Sequence, residues 1–190
     1  MFVRFRMASS KFSAPISNYN PSEELVAIVD QNNELIGAAP RRQMRQENLI
    51  HRSTYTFVLN SANQLYVQKR VDFKDIFPGY YDPAPGGVVL AEETSNLESA
   101  QRELEEEMGI SGTDLEHQFN MFYEDTRIRV WMSVYLTHYS GEVSLQPEEV
   151  ASLEMLTPSE IVQMQAQGFK FVPDSMQAFQ KLIELGKLKV

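Results

Sequence analysis

The stretch GGVVLAEETSNLESAQRELEEEMGI, residues 86–110, constrains this chain most: a glycine pair, a helix with a marked start and stop, and seven carboxylates among the sixteen positions from Glu92 to Glu107. Ser95 or Asn96 offers a side-chain oxygen to the unpaired N–H groups of a helix start. Gly109 can take the left-handed backbone that ends a helix, with Ile110 folding back on the last turn. At about 100° per residue, Leu97, Ala100, Leu104 and Met108 fall in one arc, so the spacing predicts a helix through Met108 that buries this arc against a sheet. With Glu103 as zero, Glu107 lies about 40° to one side and Glu106 about 60° to the other, so the three share a face. Glu107 borders the apolar arc, Glu105 points to solvent, and Glu98 precedes Arg102 by four residues, the spacing of a helical ion pair.

Sheltered carboxylates this close resist ionising together unless a cation compensates. A hard divalent ion suits them, because Mg²⁺ is held by a few carboxylates while keeping waters and taking phosphate oxygens. Zinc fits less well: His51, His117 and His138 are scattered, and the chain has no cysteine. The competing reading of the helix taken alone is a solvated acidic surface.

The rest of the composition narrows the classes. At 190 residues the chain suits one domain, and the formal net charge of −9 repels a phosphate backbone, which argues against nucleic acid as a partner. No apolar run reaches the roughly 18 residues of a membrane span, and MFVRFRMASS lacks the apolar core of a secretory signal. These features, with the absence of cysteine, lead us to expect a soluble cytoplasmic protein without a membrane partner. A monomer and a dimer are both compatible with the sequence.

Residues 1–22, rich in Ser, Asn and Pro, are expected to form a flexible N-terminal arm, and 23–190 a single domain. ELVAIVDQNNELIGAA reads as a hairpin, PRRQMRQENL as a short helix opened by Pro40, and TYTFVLN-SANQ-LYVQKR as a second hairpin. HQFNMFYED, RIRVWMSVYLTHY and EVASLEMLT read as strands. In the second of these, Ile128, Val130, Met132, Val134 and Leu136 alternate with Arg129, Trp131, Ser133, Tyr135 and Thr137, predicting one face toward the core. Two helices follow, Pro158 to about Gln167 and Asp174 to about Leu185, with Gly186 as a stop. The irregular interleaving favours an α/β architecture with a mixed sheet covered by helices.

Gly87, five residues, Glu93, eight residues and then Arg102-Glu103-Leu104-Glu105-Glu106-Glu107-Met108-Gly109-Ile110 resembles the Nudix box of the Nudix hydrolases. Every specified position from Arg102 to Ile110 matches; the family pattern has seven residues where this chain has eight between Glu93 and Arg102. The insertion leaves the role of Glu93 open. VDQNNELIG, HRSTYTFVLN, VQKR and KDIFPGYYDPAPGG are similar to the branch related to isopentenyl-diphosphate isomerase and uncharacterised bacterial Nudix hydrolases. The resemblance implies a Nudix-type α/β/α sandwich with a mixed β-sheet, with Glu103, Glu106 and Glu107 on a divalent metal, Mg²⁺ or Mn²⁺. It further implies that Gly87 presents its carbonyl to the same metal and that Arg102 orients the glutamates.

The implied activity is Mg²⁺-dependent cleavage of a diphosphate bond in a nucleoside diphosphate linked to another moiety, a small phosphorylated substrate. An isomerase-like enzyme is one alternative, but that reaction needs a cysteine acid/base before the glycines, where this chain has Asp82, Pro83, Ala84, Pro85 and Gly86. A catalytically silent binding module with the same fold is another, as is a scaffold without metal dependence. For hydrolysis, one of the box glutamates or a downstream carboxylate, Glu148 or Glu149, accepts the proton of the attacking water. Arg70 and Lys74 are candidates for substrate phosphates, and Tyr80 and Tyr81, close to the glycine pair, for contact with the rest of the substrate. The competing reading of each is ordinary surface charge or packing.

Overall fold

The computed structural model describes residues 20–190, so most of the expected flexible arm, residues 1–19, lies outside the described residues. Asn20, at the arm's end, instead caps a 3₁₀ turn over Pro21–Glu23. From there eight strands and four helices follow: β1 Leu25–Val29, β2 Leu35–Pro40, α1 Arg41–Gln46, β3 His51–Leu59, β4 Leu65–Arg70, β5 Tyr81–Asp82, α2 Asn96–Met108, β6 Glu116–Glu124, β7 Arg129–His138, β8 Val150–Leu156, α3 Pro158–Ala166 and α4 Pro173–Glu184. Among the described residues no helix is long and apolar enough to cross a membrane.

The sheet is mixed. β3 runs parallel to β7 over its whole length, while β6–β7, β1–β2, β4–β5 and β4–β8 pair antiparallel. Ile128, Val130, Met132, Val134 and Leu136 are buried as their alternation predicts, packed with Phe171, Met176, Phe179 and Leu182 from the C-terminal segment. Ser133, Tyr135 and Thr137 on the other face are buried too. Strands near the middle of a covered sheet lose their one-sided polarity, and here Asn96 of α2 donates to the Ser133 hydroxyl over 2.6 Å. The apolar underside of α2, Leu104 and Met108 with Ile110, packs on Val58 and Tyr66. The expected α/β/α layering therefore holds, and α2 is the layer that carries the acidic residues.

One expectation fails in a way that builds the site. β3 and β4 read as a hairpin, yet they pair only beside their turn, at Leu59 and Leu65, and then diverge. The chain from 81 to 91 fills the gap. Tyr81–Asp82 pairs with β4, and farther on Thr56 N–H donates to Pro85 O, Thr54 N–H to Gly87 O and Val89 N–H to Arg52 O. The glycine pair is thus wedged into the middle of the sheet. Gly86 has no room for a side chain, since a Cβ there would stand 1.9 Å from the Thr54 carbonyl oxygen. Satisfying the backbone groups of β3 and β4 in this way is obligatory for buried strands.

Candidate active site: two buried carboxylates beside a glycine wedge

α2 begins and ends where the sequence marks it. Ser95 Oγ accepts from Glu98 N–H over 3.1 Å, and Gly109 sits at φ +67 with Ile110 N–H reaching back to Leu104 O. Leu97, expected in the buried arc, is instead 40% exposed, while Ala100, Leu104 and Met108 are buried. The expected Glu98–Arg102 pair does not form. Glu98 accepts from Thr94 N–H and Thr94 Oγ1 at the helix start, where exposed N–H groups favour a carboxylate.

Arg102 turns instead to Glu93, Glu103 and Glu106, at 2.8, 2.9 and 3.0 Å. Glu93 receives Arg102 Nε on one oxygen and Leu90 N–H on the other, at 2.8 and 2.6 Å. The one-residue insertion before Arg102 is absorbed in the loop, and Glu93 ties that loop to the helix. Burial opposes the Arg102 charge, but the Glu93 hydrogen bond and the three carboxylates outweigh it and raise its pKa above the ordinary arginine value.

Glu103 and Glu107 are 8% and 3% exposed, whereas the Glu106 side chain is 50% exposed and faces Arg102. Burial pushes both buried carboxyls well above the ordinary glutamate value; each also feels an acidic neighbour, Glu106 for Glu103 and Glu103 for Glu107. Glu107 Oε2 accepts from Gln68 Nε2 at 3.1 Å and from Gly86 N–H at 3.3 Å. A Cβ on Gly87 would fall 2.2 Å from Glu103 Oε1, so the missing side chain is what gives this carboxylate its place.

The other sequence candidates divide. Glu149 lies near enough to Glu107 to raise its pKa, while Glu148 is exposed and away from the site. The placement of Glu149 follows from the end of α2, whose unpaired carbonyls at Glu107 and Met108 accept from Gln146 and Ser144 N–H and draw that loop in. Lys74 forms an ion pair with Glu149. Arg70 donates to the Ile76 carbonyl at 3.1 and 3.3 Å and holds the loop after β4 rather than standing free for phosphate. Tyr81 packs against Phe169 and Phe171 with Lys69 over its ring, on the opposite side of the sheet from the Gln68 side chain that meets Glu107. Tyr81 is therefore a packing residue here. The Gly87 carbonyl accepts from Thr54 N–H and Ser53 Oγ, both at 2.9 Å, which engages its two lone pairs within the sheet.

Sequence reasoning missed Gln68, Asp82, Arg41, Arg45 and Asp174. Behind the glycine pair these last four line a chamber of about 70 Å³ that reaches Gly86 and Gly87. Asp82 is buried, which pushes its pKa up to about 6 despite nearby Arg70 and Ser175. Tyr55 Oη donates to Asp174 inside the same chamber. Gln68, between the apolar start and the basic end of the strand LYVQKR, was the one signal available. His51, by contrast, is a core residue: burial keeps its ring neutral, with a pKa of about 3, and its Nδ1 faces the Leu49 carbonyl.

Among the described residues no three acidic or imidazole side chains converge into a ready-made metal cage. The donor set nonetheless fits a hard divalent ion, which commonly takes one or two protein carboxylates and completes its shell with water and substrate phosphate. Glu103 and Glu107 offer such a pair, buried beside the glycine wedge with Arg102 as the ion-pair partner of Glu103.

The fold and the sequence both have counterparts among known proteins. The family model described as the NUDIX domain matches residues 49–177, more than half of the chain. The chain belongs to the Nudix hydrolase family. It is 42% identical over 157 residues to the uncharacterized Nudix hydrolase YfcD of Escherichia coli K12, covering 83% of this chain and 85% of that protein. Similarity to the uncharacterized Nudix hydrolase PA4841 of Pseudomonas aeruginosa is 36% over 161 residues, 85% of this chain and 94% of that one. Among solved structures, DR0079 of Deinococcus radiodurans shares the fold with a TM-score of 0.73 at 24% identity, covering 83% of this chain and 98% of that one. The Nudix domain of Shewanella oneidensis NrtR, complexed with ADP ribose, does so at 0.58 and 15% identity, covering 70% of this chain and 86% of that one. The chain is accordingly a hydrolase of the class acting on pyrophosphate bonds, in a family that generally uses divalent metal ions.

Proposed function

We propose that this Nudix hydrolase uses Mg²⁺ to cleave the diphosphate bond of a nucleoside diphosphate linked to another moiety. One observation carries the reading: Glu103 and Glu107 are buried side by side against Gly86 and Gly87 without enough positive charge to balance them. Two such carboxylates are held at a cost in the free chain that a divalent ion removes on binding. When bound, the ion neutralises phosphate charge and lowers the pKa of a coordinated water.

The chain's own residues supply the rest. Arg102 fixes Glu103 from one side and, through Glu93, fixes the loop that follows the glycine pair. Gln68 and the Gly86 N–H orient Glu107. Glu149, paired with Lys74, takes the proton of the attacking water. In-line displacement at phosphorus asks for little more than this positioning and charge neutralisation. The absence of a cysteine disfavours the isomerase reading, and a cytoplasmic setting accords with the substrate class.

The test is phosphate and nucleotide release from a panel of nucleoside triphosphates, ADP-ribose and dinucleotides, with Mg²⁺, Mn²⁺ or EDTA. Turnover should appear with a nucleoside diphosphate linked to a second group, require the divalent ion, and fall at least about 100-fold in Glu107→Gln, a change typical of losing a metal or acid/base group. Full turnover in EDTA, or an unimpaired Glu107→Gln enzyme, would defeat the proposal.

A further inference from the structure

The surface near the glycine wedge reverses the sign of the whole molecule. A cleft of about 570 Å³ is lined by Arg45, Arg127 and Lys170 around Phe77 and Tyr80, with Asp75 as its one lining carboxylate, on a chain of net charge −9. Its size is that of a small-ligand site. The cleft shares Arg45, Asp75, Ile76 and Phe77 with the inner chamber, and that chamber reaches Gly86 and Gly87. The cationic cleft and the glycine pair therefore border one chamber.

Arg45 brings one guanidinium to both the cleft and the chamber. Its Nε and Nη1 atoms are buried and have no hydrogen-bond partner. Its ion pair with Asp75 is long, 3.7 Å, and that carboxylate is 57% exposed. A sheltered guanidinium cannot shed its proton, and unpaired buried donors are costly. Around it the cleft is built in place. Phe77 is held at φ +51, an unfavourable backbone for a bulky residue. The Arg127 guanidinium lies 4.4 Å from the Phe77 ring centroid, Tyr80 packs at 5.5 Å, and Lys170 stands 5.8 Å from the Tyr80 ring centroid. Arg127 is also braced by Asp125 at 3.1 Å.

Resting on the hydrolase reading above, we propose that this cleft is a second anion subsite, which takes an additional phosphate carried by the nucleotide portion of the substrate outside the scissile diphosphate. Two guanidinium forks and an ammonium match the several oxygens of a phosphate, and Tyr80 offers a ring beside it for the base. The substrate class is thereby narrowed to nucleotides bearing a phosphate monoester on the ribose.

Two measurements separate this inference from the activity it rests on. In EDTA, calorimetry should show adenosine 3′,5′-bisphosphate or its 2′,5′-isomer binding the wild-type chain at least about 10-fold more tightly than AMP, and the preference should shrink to within about twofold in Arg127→Ala/Lys170→Ala. Equal affinities, no measurable binding of either ligand at millimolar concentration, or a preference that survives the double substitution would overturn the subsite. Separately, Mg²⁺-dependent hydrolysis of NADPH should exceed that of NADH in kcat/KM by a similar factor, with the double variant losing the discrimination. Bisphosphate selectivity without hydrolysis of any diphosphate would keep the subsite and defeat only the proposed activity.

Discussion

Arg102 Nε and Glu93 Oε1 meet at 2.8 Å across the loop that carries the extra residue before α2. The second Glu93 oxygen holds the Leu90 N–H, so one nearly buried carboxylate fastens both the loop and the arginine that braces Glu103. Glu93→Ala should lower stability by about 1 to 3 kcal/mol, the range for hydrogen bonds to charged groups, and Glu93→Gln by less, because the amide oxygen can still accept from Leu90. Urea unfolding midpoints check the order. A fall in Mg²⁺ affinity in both variants, read by calorimetry, would show the disturbance reaching Glu103 through Arg102.

How far the sequence carries can be judged from this same corner. Local signals were reliable: Ser95 and Gly109 bound α2, and the alternation from Ile128 to Leu136 chose the buried face of β7. Glu98 misled because two opportunities share its position. The i,i+4 spacing points to Arg102, but Thr94 and the helix start lie closer. The β3–β4 hairpin misled for a different reason, since the strand that parts them arrives from residues 81–91 and no local pattern announces it. Gln68, Arg45, Asp82 and Asp174 become site residues only when β4, α1, β5 and α4 meet around the glycine pair, a consequence of tertiary packing rather than of spacing.

Burial raises the folded-state pKa to about 7 for Glu103, about 8 for Glu107 and about 6 for Asp82, above ordinary values of 4.5, 4.5 and 3.8. The folded chain therefore binds more protons than the unfolded chain between these limits, and stability must fall as pH rises through them. Without divalent ions the melting temperature should decline from about pH 5 to about pH 8.5 and then level off. Mg²⁺ should raise the melting temperature more at about pH 8.5 than at about pH 6, since it needs deprotonated ligands. Scanning calorimetry at several pH values with EDTA or Mg²⁺ checks both slopes.

Gly86 and Gly87 are adjacent yet should fail differently when enlarged. A Cβ on Gly86 meets the Thr54 backbone, which cannot yield without opening β3, so Gly86→Ala should cost about 3 kcal/mol or more, the upper range of overpacking. A Cβ on Gly87 meets only the Glu103 carboxylate, which can swing away. Gly87→Ala should therefore lose less stability while its Mg²⁺ affinity and turnover fall at least about 10-fold, as for a displaced metal ligand. Parallel denaturation and metal titration of the two variants decide the matter.

Lys74 and Glu149 form an ion pair at the mouth of the site, and Glu149 is the downstream acid that reaches Glu107. If Glu149 accepts the water proton, Glu149→Gln should lower kcat by roughly 100-fold or more while KM and Mg²⁺ affinity change little, the signature of an interaction made in the transition state. Lys74→Met leaves the carboxylate in place and removes only the charge that restrains it. That variant should lose less in kcat than Glu149→Gln, read from initial rates at saturating substrate and Mg²⁺. A merely structural pair would give a different pattern, in which both substitutions lower stability equally and neither lowers kcat selectively. Glu148→Gln, exposed and away from Glu107, is the matched control and should turn over at the wild-type rate.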